Sequence, residues 1–309
     1  MKYKFIEAGS CIDICLEYEL YLDVGNNLTV GIIDHHQLSG TQKSATRLVY
    51  ENKNLIDINT KTIVLHENPD LDCIASSYLA TYYLHYEKFP SFTKELCEFL
   101  DKADFGFSLK HTINLASLFS VLKANLQSDE DVVKIGHKLI EDMITTGFDS
   151  GSFLDKYSKE IIELNNENKI FQYDLKNSNN KEFILQDRYT KKFKPLKALI
   201  LKTPKSKLFK SLSRELGYDL LIVVWNKKRT VISLKGDSYF TLENIGNKLN
   251  ILEKQKRDKL KIKLKEANRE GYNIPDPWYD GRAHNYTIID APRMGTVLSY
   301  CEILKTVQF

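Results

Sequence analysis

Three short apolar runs near the start of the chain each end in side chains of the kind that bind metal ions. Glu19-Leu20-Tyr21-Leu22 leads into Asp23, and Val30-Gly31-Ile32-Ile33 into Asp34-His35-His36. Thr62-Ile63-Val64-Leu65 leads into His66-Glu67-Asn68-Pro69-Asp70-Leu71-Asp72. Runs this short, rich in β-branched and aliphatic residues, predict strands buried on both faces, as in a parallel sheet. Helical patterns follow two of them. Ser44 stands near the cap of a helix over Ala45-Thr46-Arg47-Leu48-Val49-Tyr50, and Cys73-Ile74-Ala75-Ser76-Ser77-Tyr78-Leu79-Ala80 opens another. Strand, polar loop, helix is the order of βαβ units, so residues 1–85 predict an α/β sheet. Positions 93–147 are mostly helical in pattern, with Val132, Val133, Leu139, Ile140, Met143 and Ile144 on one face.

Gly147 and Asp149-Ser150-Gly151-Ser152 mark a break, a polar helix follows over about 153–170, and Asn177-Ser178-Asn179-Asn180-Lys181 reads as a turn. Leu196–Leu201 and Leu220–Trp225 then predict strands, and Thr230–Leu234 can pair with the second as a hairpin. A highly charged helix is expected over 243–269, turns over 271–283, a last strand over Tyr286–Ile289 and a last helix over 295–307. The fold class is therefore α/β: a parallel-sheet N-terminal domain over 1–150, a helical linker over 151–184 and a smaller α/β C-terminal domain over 185–309. Composition adds limits. With 309 residues, 42% of them apolar, the chain can build two cores, and a net charge of +3 selects no strongly charged partner. No run approaches the roughly 18 apolar residues of a spanning helix, so no membrane partner is expected. The N-terminus lacks the apolar stretch of a signal peptide. Five scattered cysteines without a CxxC pair fit free thiols in the cytoplasm.

Ligands in an open α/β sheet bind beyond the carboxyl ends of the strands. Three strands delivering Asp23, His35-His36 and His66 with Asp70 and Asp72 to that edge would assemble a two-metal site. Such a site needs a carboxylate between its cations, and Asp23 is the candidate. His35 and His36 are adjacent, so their side chains are expected to diverge, one toward metal and the other toward substrate. A lone His-His pair is as readily a solvated loop, and a lone Asp-x-Asp a turn; their coincidence at successive strand ends favours a site. Mixed imidazole and carboxylate donors favour Mn²⁺, with Mg²⁺ the other option.

Ile33-Asp34-His35-His36 together with His66-x-x-x-Asp70-x-Asp72 resembles the DHH phosphoesterase superfamily, over the N-terminal domain to about residue 105 and more weakly beyond. That group includes single-strand exonucleases of the RecJ type, nanoRNases, cyclic-dinucleotide phosphodiesterases, exopolyphosphatases and family II pyrophosphatases. The resemblance implies that His66 and Asp70 hold a first metal, Asp72 and His35 a second, and that Asp23 bridges them. It places His36, with Asp34, close to the reacting phosphate. A fourth motif supplies a further Asp after a helix, which is Asp104 or Asp101, with Asp104 favoured because Gly106 suits a backbone leaving the helix. The family usually runs HxxxDxD first and DHH later; here DHH comes first, so the chain looks circularly permuted in this region.

Members of that superfamily often carry a second, substrate-binding domain with a glycine-rich loop of GGH type. Gly281-Arg282-Ala283-His284 resembles that loop, and implies substrate contacts from Gly281, Arg282 and His284. Arg282 and Arg293 can each grip phosphate in bidentate fashion, and Gly295-Thr296 is expected to open a helix whose amides favour anions; surface arginines in a structural loop are the competing reading. Trp278, Tyr279 and Tyr286 nearby are either base-stacking or core residues. Lysines at 191, 192, 194, 197, 202, 205, 207 and 210 form either a polyanion-steering patch or a solvated face. The function expected is a two-metal phosphoesterase acting on short single-stranded oligonucleotides or small linear or cyclic nucleotides. Alternatives are a nucleotide sensor without turnover and an inorganic pyro- or polyphosphatase. No element reads a double-stranded groove, and a homodimer is compatible with the sequence.

Overall fold

In the structure, a computed structural model, the described residues are 1–36, 43–107, 109, 113–147, 150–226, 229–262, 272, 274–281 and 286–308. Contacts divide the chain into two units: Met1–Phe105 with Leu109–Asn166, and Gly106–Ser108 with Glu167–Phe309.

The first unit opens with strands β1 (Lys2–Ile6), β2 (Glu19–Leu22), β3 (Leu28–Thr29) and β4 (Ile32–Ile33). Helix α1 (Ala45–Glu51), strand β5 (Thr62–His66) and helix α2 (Leu71–Tyr86) complete the α/β part. Helices α3 (Thr93–Asp104), α4 (Leu115–Lys123), α5 (Asp129–Thr146) and α6 (Gly151–Lys156) form the helical middle, and α7 (Ser158–Lys176) runs out of it. The sheet order is β1-β5-β2-β4-β3. Every pairing is parallel except that of the edge strand β3 with β4. The central strands are buried along nearly their whole length, which is why they lack polar alternation. Strand β1 does alternate, because it is an edge strand, and its pattern of lysines concealed it from the sequence reading. Ser44 caps α1 by accepting a hydrogen bond from the Arg47 amide at 3.2 Å. Helix α5 approaches α2 closely at Gly136, where a β-carbon would lie 2.5 Å from Ile74 Cγ2.

The second unit is a mixed sheet. Its strands are β6 (Asn179–Asp187), β7 (Phe193–Lys202), β8 (Leu220–Asn226), β9 (Arg229–Leu234), β10 (Phe240–Thr241) and β11 (Ile288–Asp290), in the order β10-β6-β7-β8-β9-β11. Only β7 and β8 pair in parallel, joined through α8 (Phe209–Glu215); β8 and β9 form the expected antiparallel hairpin. Helices α9 (Ile245–Leu260) and α10 (Tyr300–Val307) contribute Leu249 and Ile303 to a core shared with Phe183, Ile222, Trp278 and Ile289.

Two expectations are corrected here. The segment read as a turn at 177–181 is in part strand: β6 starts at Asn179, since backbone pairing with β7 outweighs the turn preference of exposed asparagines. The last helix starts at Tyr300, where Ser299 and Glu302 form a capping box. Gly295-Thr296 lies before it, with Thr296 Oγ1 and Val297 N donating to the buried Glu253 carboxylate at 2.5 and 2.9 Å. Those groups hold the loop to α9 and do not form a helical anion site. Among the described residues no helix is long and apolar enough to cross a membrane.

Candidate metal centre

Strands β5, β2 and β4 lie side by side and parallel, so His66, Asp23 and Asp34-His35-His36 leave the sheet at one edge. Chain order differs from spatial order, yet the three strand ends converge. Asp23 follows β2 with φ of 57°, a left-handed conformation that aspartate tolerates better than most residues. Its amide donates to the Ile33 carbonyl at 3.1 Å, which fixes it against β4.

The Asp23 side chain is 3% exposed and faces two imidazoles with different oxygens. Oδ1 lies 3.2 Å from His35 Nε2, and Oδ2 lies 3.5 Å from His66 Nε2. The approach of His35 is close but not aligned as a hydrogen bond, and Asp23 Oδ1 is left without one although buried. Asp104 Oδ2, at the end of α3 and 3.8 Å from His35 Nε2, is a second buried oxygen without a hydrogen bond. His66 Nδ1 lies 2.9 Å from the Glu67 carbonyl, which can only accept, so the Nδ1 proton points there and Nε2 faces Asp23.

Asp72 is buried against the start of α1: Oδ2 accepts from Ala45 N at 2.6 Å, and Oδ1 from Thr46 N at 3.0 Å and Thr46 Oγ1 at 2.6 Å. The triplet is arranged around a second carboxylate. Asp34 Oδ1 lies 2.6 Å from His36 Nδ1, while its Oδ2 accepts from Asn26 N at 2.7 Å. The two histidines do not diverge as expected. Their ring centroids are 4.5 Å apart at 51°, with Phe105 in a T-shaped contact with His35; both face Asp23 Oδ1, and they differ in their second carboxylate, Asp104 for His35 and Asp34 for His36.

Among the described residues three overlapping groups of donors result, each with its atoms within 4.8 Å of one another: Asp23, Asp34, His35 and His36; Asp23, His66 and Cys73; and His35, Asp72 and Asp104. Asp23 and His35 each belong to two of them. The other proposed residues are not members of these groups. Asp70 is exposed and caps α2, accepting from Cys73 N at 3.0 Å. Asp101 holds the start of α1 through Ser44 N at 2.9 Å and the Arg47 guanidinium. Gly281 (φ 70°) is needed by the turn itself, since a β-carbon there would sit 2.0 Å from the Ile288 carbonyl oxygen. The Arg293 amide donates to the buried Asp276 at 2.6 Å. Both belong to the second unit. Arg282 and His284 lie outside the described residues. Trp278 is fully buried in the core of its unit. Cys73 was missed by sequence reasoning; its signal was the Asp70-x-x-Cys73 spacing, which sets cap and third helical residue on adjacent turns.

Burial disfavours every charged form in this cluster. Desolvation works against the Asp23 carboxylate, but His35 and His66 hold it well below the usual range. Desolvation is likewise outweighed at Asp34, which His36 keeps low, and at His36, which Asp34 pushes up. Despite burial, His35 is raised by Asp23 and Asp104, and His66 by Asp23 and Cys73. Burial and the charges of Asp23 and Asp104 push Asp72 well up. Burial raises Asp104 to about 6, with His35 opposing and Asp70 adding. Carboxylates crowded into repulsion, imidazoles aimed at them and two buried oxygens without hydrogen bonds make a donor set that can hold metal ions. No protein-family model, curated protein or solved structure compared with this chain matches it.

Proposed function

We propose that this protein is a metal-dependent phosphoesterase that hydrolyses phosphodiester or phosphomonoester bonds in short oligonucleotides or in small linear or cyclic nucleotides. The observation that carries this reading is the buried Asp23 carboxylate, which offers one oxygen to the His35 side of the cluster and the other to the His66 side. A carboxylate so placed suits a pair of divalent cations, Mn²⁺ before Mg²⁺, with Asp72, Asp104 and His35 on one side and His66 on the other. Bound there, the cations would polarise a phosphoryl oxygen and acidify water. The resemblance of the Asp34-His35-His36 and His66–Asp72 motifs to DHH phosphoesterases supports the substrate class.

The protein's own contribution is a positioned acid. Asp34 is buried, while the His36 side chain is 37% exposed, so the carboxylate fixes a ring that reaches the surface of the cluster. With Nδ1–H given to Asp34, which raises its basicity against the effect of burial, His36 can carry a second proton at Nε2. That proton can pass to a departing ester oxygen, and Asp34 compensates the charge on the ring before transfer.

The test is hydrolysis of a panel with and without Mn²⁺: a linear dinucleotide, a cyclic dinucleotide, a short single strand, a nucleoside bisphosphate and pyrophosphate. Turnover of a nucleotide member is expected, lost in Asp23→Asn by more than the roughly 10–100-fold typical of outer-shell changes. Asparagine keeps the left-handed backbone tolerable and removes the charge and one of the two carboxylate oxygens. Turnover of pyrophosphate alone would replace this reading with an inorganic phosphatase. Nucleotide binding with no product would make the protein a sensor.

A further inference from the structure

Resting on that reading of the cluster, we infer that Cys73 is a thiolate ligand of the metal on the His66 side, in the place that Asp70 holds in the motif-based assignment. Cys73 is the third residue of α2 and fully buried. Its Sγ shares a common ligand distance with Asp23 and His66, and it forms a group with them that contains no other donor. His66 is already turned correctly: its Nδ1 proton is taken by the Glu67 carbonyl, leaving Nε2 for the space between Asp23 and Cys73. Asp70 Oδ1 accepts the Cys73 amide, and Asp70 is not part of the Asp23, His66 and Cys73 group. That cap fixes the start of α2 and so sets where Cys73 stands. Asp23 reaches this group with Oδ2, toward His66, while its buried Oδ1, without a hydrogen bond on the His35 side, is the sign that the shared carboxylate is built for cations.

On coordination the S–H bond breaks, the proton leaves to solvent, and sulfur forms its bond to the metal with no change of oxidation state. One Cys, one His and one shared Asp make a softer set than the imidazole and carboxylates around Asp72 and Asp104. The two metal positions are therefore unlike. The Cys73 position selects thiophilic borderline ions such as Zn²⁺ or Co²⁺, and the Asp72–Asp104 position selects Mn²⁺ or Mg²⁺.

Cobalt(II) added to the metal-free protein is the probe. The expected result is a near-ultraviolet sulfur-to-cobalt charge-transfer band that saturates with bound metal, alongside visible cobalt bands. The charge-transfer band should vanish in Cys73→Ser and in Cys73→Ala, whose folding is checked by circular dichroism. It should persist in Asp70→Asn and in a Cys11→Ser/Cys301→Ser variant that lacks the exposed thiols. Cys73→Ser should also reduce the preference for Co²⁺ over Mn²⁺ by roughly tenfold or more. Visible cobalt bands without charge transfer in the wild-type protein would overturn the thiolate assignment and leave the phosphoesterase reading intact, as would a band that survives loss of Cys73. Charge transfer without hydrolysis of any panel member would uphold Cys73 and overturn the activity. No cobalt binding at all would overturn both.

Discussion

Asp101 and Asp104 stand one helical turn apart at the end of α3 and have opposite energetics. Asp101 accepts Ser44 N and pairs with Arg47, so Asp101→Ala should cost about 1–2 kcal/mol of stability while leaving metal binding in place. Asp104 is buried among like charges, and its carboxyl is raised to about 6. A carboxyl raised in the folded state weakens folding, not at all below its unfolded value near 4, and fully above about 6. Asp104→Asn should therefore stabilise the metal-free protein by on the order of 2 kcal/mol at pH 7.5, with the gain fading toward pH 4. It should also lower the stabilisation that Mn²⁺ confers. Thermal melts across that pH range, with and without Mn²⁺, check both; a loss of stability in metal-free Asp104→Asn would show that the carboxylate is satisfied. At this scale Asp23, His35, His36, His66, Asp72 and Asp104 could be picked out from their positions at strand and helix ends. The exchange of roles between Asp70 and Cys73 could not. Spacing says that both residues begin a helix, but whether a carboxylate caps that helix or turns to a metal depends on backbone geometry.

Helices α2 and α5 pack through a half-buried histidine. His137 Nε2 lies 2.7 Å from Ser77 Oγ, with the rings of Tyr3 and Tyr78 set edge to face against it. Burial lowers its pKa to about 4, the opposite of the histidines in the metal cluster. Above pH 6.5 both folded and unfolded chains carry a neutral ring there. Between 6.5 and 4 only the unfolded chain takes up a proton, so stability falls as pH falls, by on the order of 3 kcal/mol across the window. Denaturant midpoints should show a shallower decline over that range in His137→Gln than in the wild-type protein; parallel declines would remove His137 as the cause. Element types were legible wherever burial was two-sided, as in β2, β5 and β8. They were hidden where backbone pairing alone decides, as in the lysine-bearing edge strand β1, the asparagine-rich start of β6, and the two-residue strands β3 and β10.

For the whole molecule, the fold class followed from the sequence because apolar runs and helical patterns alternate over the first 85 residues and change character after 177. The parallel first sheet, the helical middle and the mixed second sheet agree with that reading. What pattern alone could not supply was strand order, since pairing is set by how helices cover the sheet and not by the strands' own residues. A cation that binds only the folded state raises stability, by about 2.7 kcal/mol at 100 times its dissociation constant. Binding must displace protons from His35 and His66, both raised, and from Asp104, so the gain in melting temperature from Mn²⁺ should grow as pH rises from 6 to 8. A gain that is flat or inverted with pH would place the bound metal elsewhere.

The position of β5 also bears on when the donor groups of the proposed metal centre come together during synthesis. Strands β1 and β2 are made first but never pair with each other; β5, about 40 residues later, slots in between them. A nascent chain that has exposed only Asp23 and the Asp34–His36 triplet holds these ligands on β2 and β4, which pair with each other but have no β5 to join them to β1. His66 and Cys73 arrive with β5 and α2, and Asp104 only at the end of α3. Early fragments carry only the Asp23–Asp34–His35–His36 group, so the groups that need His66 and Cys73, or Asp72 and Asp104, are complete only when this whole stretch has left the ribosome.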